Sequence, residues 1–182
     1  MVCDFNKGTC YDLDKKFKFV CLNDNIPVMM ALANDTSFED VFYYQLLDRI
    51  QKSDYVLAIS GSGNSHNIIK AVTYAKGLGC KIIGMTGYDG GKLAKLSDYQ
   101  LHVPVDDMQI TEDLHMGFDH MIMQIFWKYL AAKNGKDAIY KINMSQEGNK
   151  LHLEASRDAK VLLMAGEPLK DRKSTRLNSS HT

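Results

Sequence analysis

The chain has no surplus of charge of either sign, because 22 Lys and Arg balance 22 Asp and Glu. A neutral chain without a basic stripe argues against nucleic acid as a main partner. Paired cysteines are missing as well. Cys3, Cys10, Cys21 and Cys80 make no CxxC pair and no zinc-ribbon spacing, so they read as reduced thiols in a cytoplasmic protein. No long apolar run is present. The most apolar helical stretch, Met121 to Ala132, is interrupted by Gln124 and Lys128 and is too short to span a bilayer. No membrane partner, signal peptide or internal repeat is expected. What remains is 182 residues, enough for one domain with a real core.

The stretch from Asp54 to Ser65, DYVLAISGSGNS, is the most informative. Tyr55 to Ile59 is a short apolar run closed by Ser and Gly, which predicts a strand buried on both faces. Asn67, Ile68, Ile69, Ala71, Val72 and Ala75 then follow helical spacing. A helix opening after Ser65 directs its unpaired N–H groups and positive dipole end at the loop, which makes an anion site. Ser60, Ser62 and Ser65 add hydroxyls, while Gly61 and Gly63 allow close backbone approach. The competing reading is an ordinary strand-to-helix turn with a Ser cap. No Lys-Ser or Lys-Thr pair closes the loop, and His66 stands where a GxGxxG motif needs its third glycine. A small phosphate ester is therefore favoured over a nucleotide.

Elsewhere the pattern alternates. Strands are expected at Phe17 to Leu22, Lys81 to Met85 and Tyr99 to Val103, with a short helix at Val28 to Leu32. A long amphipathic helix is expected over Phe38 to Gln51, capped from Asn34-Asp-Thr-Ser37. A short helix over Lys92 to Leu96 and a long one over Ile110 to Ala132, with Thr111 as its cap, complete the set. This alternation predicts an α/β fold: a doubly wound three-layer sandwich on a mainly parallel sheet. Ligands in such folds sit beyond the carboxyl ends of the strands, where Ser60 and Thr86 both fall. Within the long helix, His115 and Asp119 have the i, i+4 spacing of a pair, and Glu112, His115 and His120 share roughly one side. A plain polar helix face is the alternative.

Ser60-Gly-Ser-Gly-Asn-Ser65, followed one strand later by Thr86-Gly-Tyr-Asp-Gly-Gly-Lys92, resembles the sugar isomerase (SIS) domain. Within it, Val2 to Leu130 is most similar to the phosphoheptose isomerases, which interconvert sedoheptulose 7-phosphate and a heptose 7-phosphate. The resemblance implies an aldose–ketose isomerase working through an enediolate. Ser60, Ser62, Gly63, Asn64 and Ser65 would hold the phosphate, helped by Thr86 and by Asn34 and Asp35, which are otherwise simple capping residues. Asp4 falls where the family has a Glu that is a metal ligand and proposed proton-transfer group. Glu112 stands for a family Gln and His120 for a His eight residues later. Asp4 and His120 are thus the implied catalytic pair. Asp4, Glu112 and His120 are the implied metal ligands, with zinc as the cofactor. Gln109 replaces a family Asp.

The family's upstream Gly-Gly-Ser loop and His-Phe pair are absent, so the chain reads as N-terminally truncated, with a weakened site as the consequence. A homo-oligomer, dimer or tetramer, is implied, with Met121, Ile122, Ile125, Phe126 and Tyr129 as either the pairing face or internal core. The alternative function is a non-catalytic SIS module that binds a phosphosugar and regulates or scaffolds a partner. A hexulose-phosphate isomerase is a further rival.

The expected domains are 1–133, the phosphosugar-binding unit, and 134–171, a β-rich piece that looks like the end of a pirin-type barrel. Residues 172–182 form a polar tail that reads as non-native. Strands are expected at Ile139 to Met144, Lys150 to Ala155 and Val161 to Met164.

Overall fold

A computed structural model of the chain describes residues 1–11, 16–132, 140–144, 151–155 and 161–165. The central strands come from apolar stretches. β2 (Tyr55–Ser60) and β3 (Lys81–Thr86) pair in parallel along their whole lengths, from Tyr55 opposite Lys81 to Ser60 opposite Thr86. β4 (Tyr99–His102) continues the sheet beyond β3. On the other side lies β7 (Val161–Ala165), then β1 (Phe19–Cys21), so the order is β1-β7-β2-β3-β4 and every pairing is parallel.

Alternation along the strands divides the core into two layers. Val56, Ala58 and Ile82 face a cluster with Val41, Phe42, Leu46, Ile68, Val72 and Leu93. These come from the helical side formed by α1 (Ile26–Asp35), α2 (Tyr43–Leu46), α3 (His66–Gly77) and α4 (Gly91–Leu96). Leu57, Ile83 and Met85 face the opposite way, toward Met1, Val2 and Phe118. That second layer is covered by α5 (Met108–Ala132) and by a single π-helical turn at Asp4–Gly8. Phe5, Phe17, Phe19 and Phe126 stack edge-on and face-on where these elements meet β1. Helices on both faces of a parallel sheet make the three-layer sandwich that the alternation implies.

Several boundaries differ from the sequence reading. The long helix over 38–51 does not form. A 3₁₀ turn at Phe38–Asp40 is followed only by α2, and the chain leaves helical geometry at Leu47 (ψ 125) and Asp48 (φ 58). Val41, Phe42, Leu46 and Ile50 are nevertheless all buried. Gln45, itself buried, bonds Leu22 O at 3.1 Å and Val41 O at 2.7 Å, tying the segment to the end of β1. Tertiary contacts have overridden helical periodicity.

α1 is longer than expected, because Asn25 caps it (Val28 N to Oδ1, 3.2 Å) and Pro27 occupies its first turn. Asn34 and Asp35 therefore end α1 and do not cap the next helix. α5 is capped by Asp107, which accepts from Ile110 N at 3.0 Å, while Thr111 lies fully buried within it.

The strand at 161–165 joins the main sheet between β1 and β2, so the sheet does not end at residue 133. β5 (Tyr140–Met144) and β6 (Leu151–Ala155) form a separate antiparallel pair. The tail 172–182 lies outside the described residues, as do residue 133 and residues 134–139, 145–150, 156–160 and 166–171 of the β-rich piece. Among the described residues, no helix is long and apolar enough to cross a membrane.

Candidate functional site

The register across the sheet places Ser60, Thr86 and His102 in one row at the carboxyl ends of β2, β3 and β4. Ligands bind at this rim in parallel sheets. The Ser60–Ser65 loop leaves the row and returns into α3. Gly63 N donates to Ser60 O at 3.0 Å, closing a tight turn in which Gly63 takes φ +65. A Cβ at Gly63 would lie 2.0 Å from Gly90 O, so only glycine fits where the two loops touch.

The second loop grips the first through its backbone. Leu93 N donates to Gly63 O at 2.9 Å and Gly87 N to Gly61 O at 2.7 Å, while Lys92 N donates to Asn64 Oδ1 at 3.1 Å. The two glycine-containing motifs are therefore one physical unit. Ser60 and Ser65 are both buried, and their hydroxyls lie 3.0 Å apart. Ser65 precedes α3 without capping it by its side chain. Ser62 and Asn64 lie nearer the surface, where Ser62 Oγ accepts from Asn64 N at 3.2 Å. The arrangement gathers three hydroxyls at the amino-terminal end of a 12-residue helix, features that hold a phosphate.

Thr86, Asn34 and Asp35 were also expected to contribute. Thr86 is fully buried and its hydroxyl is 3.0 Å from His102 Nδ1, so it braces β3 against β4. Asn34 and Asp35 are exposed and bond each other at 2.8 Å.

The second cluster is built by the first turn of the chain and α5. Asp4, Asp119 and His120 each offer a ligand atom, and these lie within 4.8 Å of one another. The Met1 ammonium bridges the two carboxylates, at 2.6 Å from Asp4 and 2.7 Å from Asp119. Desolvation works against that ammonium, but the two carboxylates outweigh it and hold its pKa above the ordinary value. Its hydrogen bond keeps the Asp4 carboxyl below the usual range, whereas burial pushes Asp119 up. The buried member of the pair thus takes a proton first. Asp119 Oδ1 is buried without a hydrogen-bond partner.

Asp4 and His120 are brought together as expected, but Glu112 is exposed and outside the cluster. Nor do His115 and Asp119 pair. His115 is buried, and its Nε2–H donates to Thr86 O at 3.1 Å. Burial lowers the pKa of His115, which favours the neutral ring. The donor set of the cluster, two carboxylates and one imidazole around an unpartnered buried oxygen, fits a divalent cation such as zinc.

Asp119 and His102 were missed as site residues. The i, i+4 spacing assigned Asp119 to His115, and nothing local marks His102 as the partner of Thr86. Asn67, whose Nδ2 is buried without a partner in the first turn of α3, carried no sequence signal beyond helical periodicity.

The family model for the SIS domain matches residues 34–132 of this chain. The chain belongs to the SIS domain family. The chain is 41% identical over 106 residues to the phosphoheptose isomerase of Aliarcobacter butzleri, covering 58% of this chain and 56% of that protein. A phosphoheptose isomerase of Helicobacter pylori is 38% identical over 125 residues, covering 68% and 65%. The chain thus spans 56% to 65% of the length of these two curated relatives. Among solved structures, the phosphoheptose isomerase of Neisseria gonorrhoeae matches with TM-score 0.57 at 32% identity, over 59% of this chain and 60% of that one. That of Francisella tularensis matches with TM-score 0.56 at 30% identity, over 59% and 58%. The chain therefore shares its fold with these two solved structures over the matched part.

Proposed function

We propose that this SIS domain binds a phosphosugar and acts as a D-sedoheptulose 7-phosphate isomerase. The observation that carries the reading is the Ser60–Ser65 loop, locked by Gly63 and Asn64 to the Gly90–Leu93 turn at the amino-terminal end of α3. The names of the relatives support the substrate class. Aldose–ketose isomerisation moves a proton between adjacent carbons through an enediolate, which needs an acid and a base beside the substrate. Asp4 and His120 are the proposed pair, and their approach within the cluster supports this. Ser62, Ser65 and the first amides of α3 hold the phosphate, with Ser60 fixing Ser65 from below. Asp4 and His120 would hold a zinc ion, which would supply Lewis-acid polarisation of the substrate oxygens. The working form is a homo-oligomer in the cytoplasm.

A second reading is a non-catalytic phosphosugar-binding SIS module that regulates or scaffolds a partner. The exposed position of Glu112, away from Asp4 and His120, favours it. Calorimetric binding of sedoheptulose 7-phosphate and its turnover, with and without zinc, separate the two. Turnover establishes the isomerase, and binding without turnover establishes the module. Ser65→Ala removes one hydrogen bond to a charged phosphate, worth about 1.5–3 kcal/mol. It should weaken binding by about tenfold to a hundredfold. Wild-type affinity in that variant sinks the phosphate loop.

A further inference from the structure

We propose that Thr111 is a positioning residue: packed on Gly87 beside Gly61, it sets where α5 stands against the Ser60–Ser65 loop, and so aligns a phosphate-anchored sugar with the groups that α5 carries. The inference deepens the isomerase reading and rests on it for the substrate. The contact itself is read from the packing alone.

Met108, Thr111 and His115 follow the i, i+3, i+7 spacing of one helix face. All three meet the rim of the sheet. His115 reaches Thr86 O, as described above. A Cβ at Gly61 would lie 2.5 Å from Met108 Sδ, and one at Gly87 would lie 2.5 Å from Thr111 Cγ2 and 2.6 Å from its Oγ1. Neither glycine takes a positive φ, so the backbone does not require glycine at either position. Room for α5 does. The two contacts differ in stiffness. Met108 is unbranched and can yield, whereas Thr111 is β-branched and confined within a helix. Thr111 is fully buried and its Oγ1 has no hydrogen-bond partner, so shape and not polarity fixes the seat.

Gly61 and Gly87 belong to the two interlocked loops, and Gly87 N donates to Gly61 O at 2.7 Å. α5 therefore stands on the same backbone that forms the phosphate loop. His120 lies nine residues beyond Thr111 on that helix, about 13.5 Å along its axis at the ordinary rise. A tilt of about 10° at the seat would carry it about 2 Å. Misplacing a reacting group by about 1 Å can cost about a hundredfold in rate.

A double-mutant cycle tests this. Full chains of wild type, Gly87→Ala, Thr111→Ala and the double variant are compared in turnover of sedoheptulose 7-phosphate, in calorimetric affinity for it and in melting temperature. Gly87→Ala drives its Cβ into Thr111 and should lower kcat by at least about tenfold. Its Kd for the sugar should stay within about threefold of wild type, because the loop hydroxyls are untouched. Thr111→Ala removes both atoms that the Cβ meets and leaves only Gly61 O at 3.1 Å. The double variant should therefore recover kcat to within about threefold of wild type. Affinity lost in step with kcat, no recovery in the double variant, or a lower melting temperature with kcat of the folded chain unchanged overturns the proposal. Should Gly87→Ala fail to fold, Thr111→Ala alone should lower kcat by at least about threefold at unchanged Kd, and wild-type kcat in it overturns the seat. If the wild-type chain binds the sugar without turnover, the isomerase reading falls and amide exchange judges the seat. Bound sugar should then slow exchange of the α5 amides from Glu112 to Asp119 in wild type but not in Gly87→Ala or Thr111→Ala. Equal slowing in every folded variant, or none in wild type, overturns it. A wild-type chain that binds no sugar overturns the phosphosugar reading and this role together.

Discussion

His115 shows how one side chain couples the sheet rim to α5 and makes stability depend on pH. Its Nε2–H is committed to Thr86 O, a carbonyl that can only accept. The ring is held neutral chiefly because burial penalises its charge, with the His102 ring nearby acting in the same sense. The Thr86 bond and the Glu112 carboxylate oppose this, but the pKa still falls below the ordinary 6.5. The sign follows from linkage. Above 6.5 neither the folded nor the unfolded state binds the proton. Below it the unfolded chain binds the proton and the folded chain does not, so stability falls as pH drops toward the folded value. Asp119, raised by burial, contributes the opposite slope in the acid range, so the difference between variants is the informative quantity. Melting temperatures of wild type and His115→Gln, read from pH 7.5 down to about pH 5, should differ by a constant above about 6.5. Below that, wild type should lose stability faster. Parallel curves across the whole range would show that His115 takes up its proton in the folded state as readily as in the unfolded one.

Among the elements, β7 carries the clearest structural commitment. It is the only described strand that pairs with β1, in register from Phe19 opposite Val161 to Cys21 opposite Leu163. It also runs beside β2 over five residue pairs, from Tyr55 opposite Val161 to Ile59 opposite Ala165. A proline there removes an N–H and disrupts the ladder, which central strands do not tolerate. Leu163→Pro should therefore speed amide exchange of Val20 and Cys21 by at least about tenfold, while Ile82 to Met85, paired on the far side with β2 and β4, keep more of their protection. Unchanged protection at Val20 and Cys21 would separate β7 from the sheet. The strand itself was legible in the sequence, because Val161 to Met164 is an apolar run of strand length. Its place was not, since register between distant segments leaves no local trace. The same division holds for the site. The Ser60–Ser65 loop and the Thr86–Lys92 turn were readable because glycines and hydroxyls at a strand-to-helix junction have a local meaning. Asp48 in the left-handed region and the broken helix around α2 were not, because the burial of Gln45 and Phe42 that dictates them is a property of the packed whole.

At the scale of the whole molecule, α5 has a buried face and, apart from it, an exposed apolar stripe that a helix at the surface of a monomer does not need. Thr111, His115, Asp119, Ile122, Phe126 and Leu130 are buried, and at 100° per residue they fall on one side of the helix. Ile110, Leu114, Met121 and Ile125 are each 44% to 52% exposed and fall in a narrow stripe turned away from it, with Gly117 in their midst. The apolar set first read as either pairing face or core is thus split. Ile122 and Phe126 belong to the core, while Met121, Ile125 and Tyr129 are exposed. A stripe of this kind on a 25-residue helix matches the pairing surface proposed for the homo-oligomer. Ile125→Glu places a charge in the centre of such an interface without touching the buried face. Light scattering coupled to size exclusion should give a multiple of the chain mass for wild type at tens of micromolar. The variant should give a smaller assembly, with its circular dichroism spectrum unchanged. A wild-type chain that runs as a monomer at that concentration would remove this surface as the basis of assembly. If Ile125→Glu instead keeps the full wild-type mass, the copies meet through another face and the α5 stripe is ordinary exposed apolar surface.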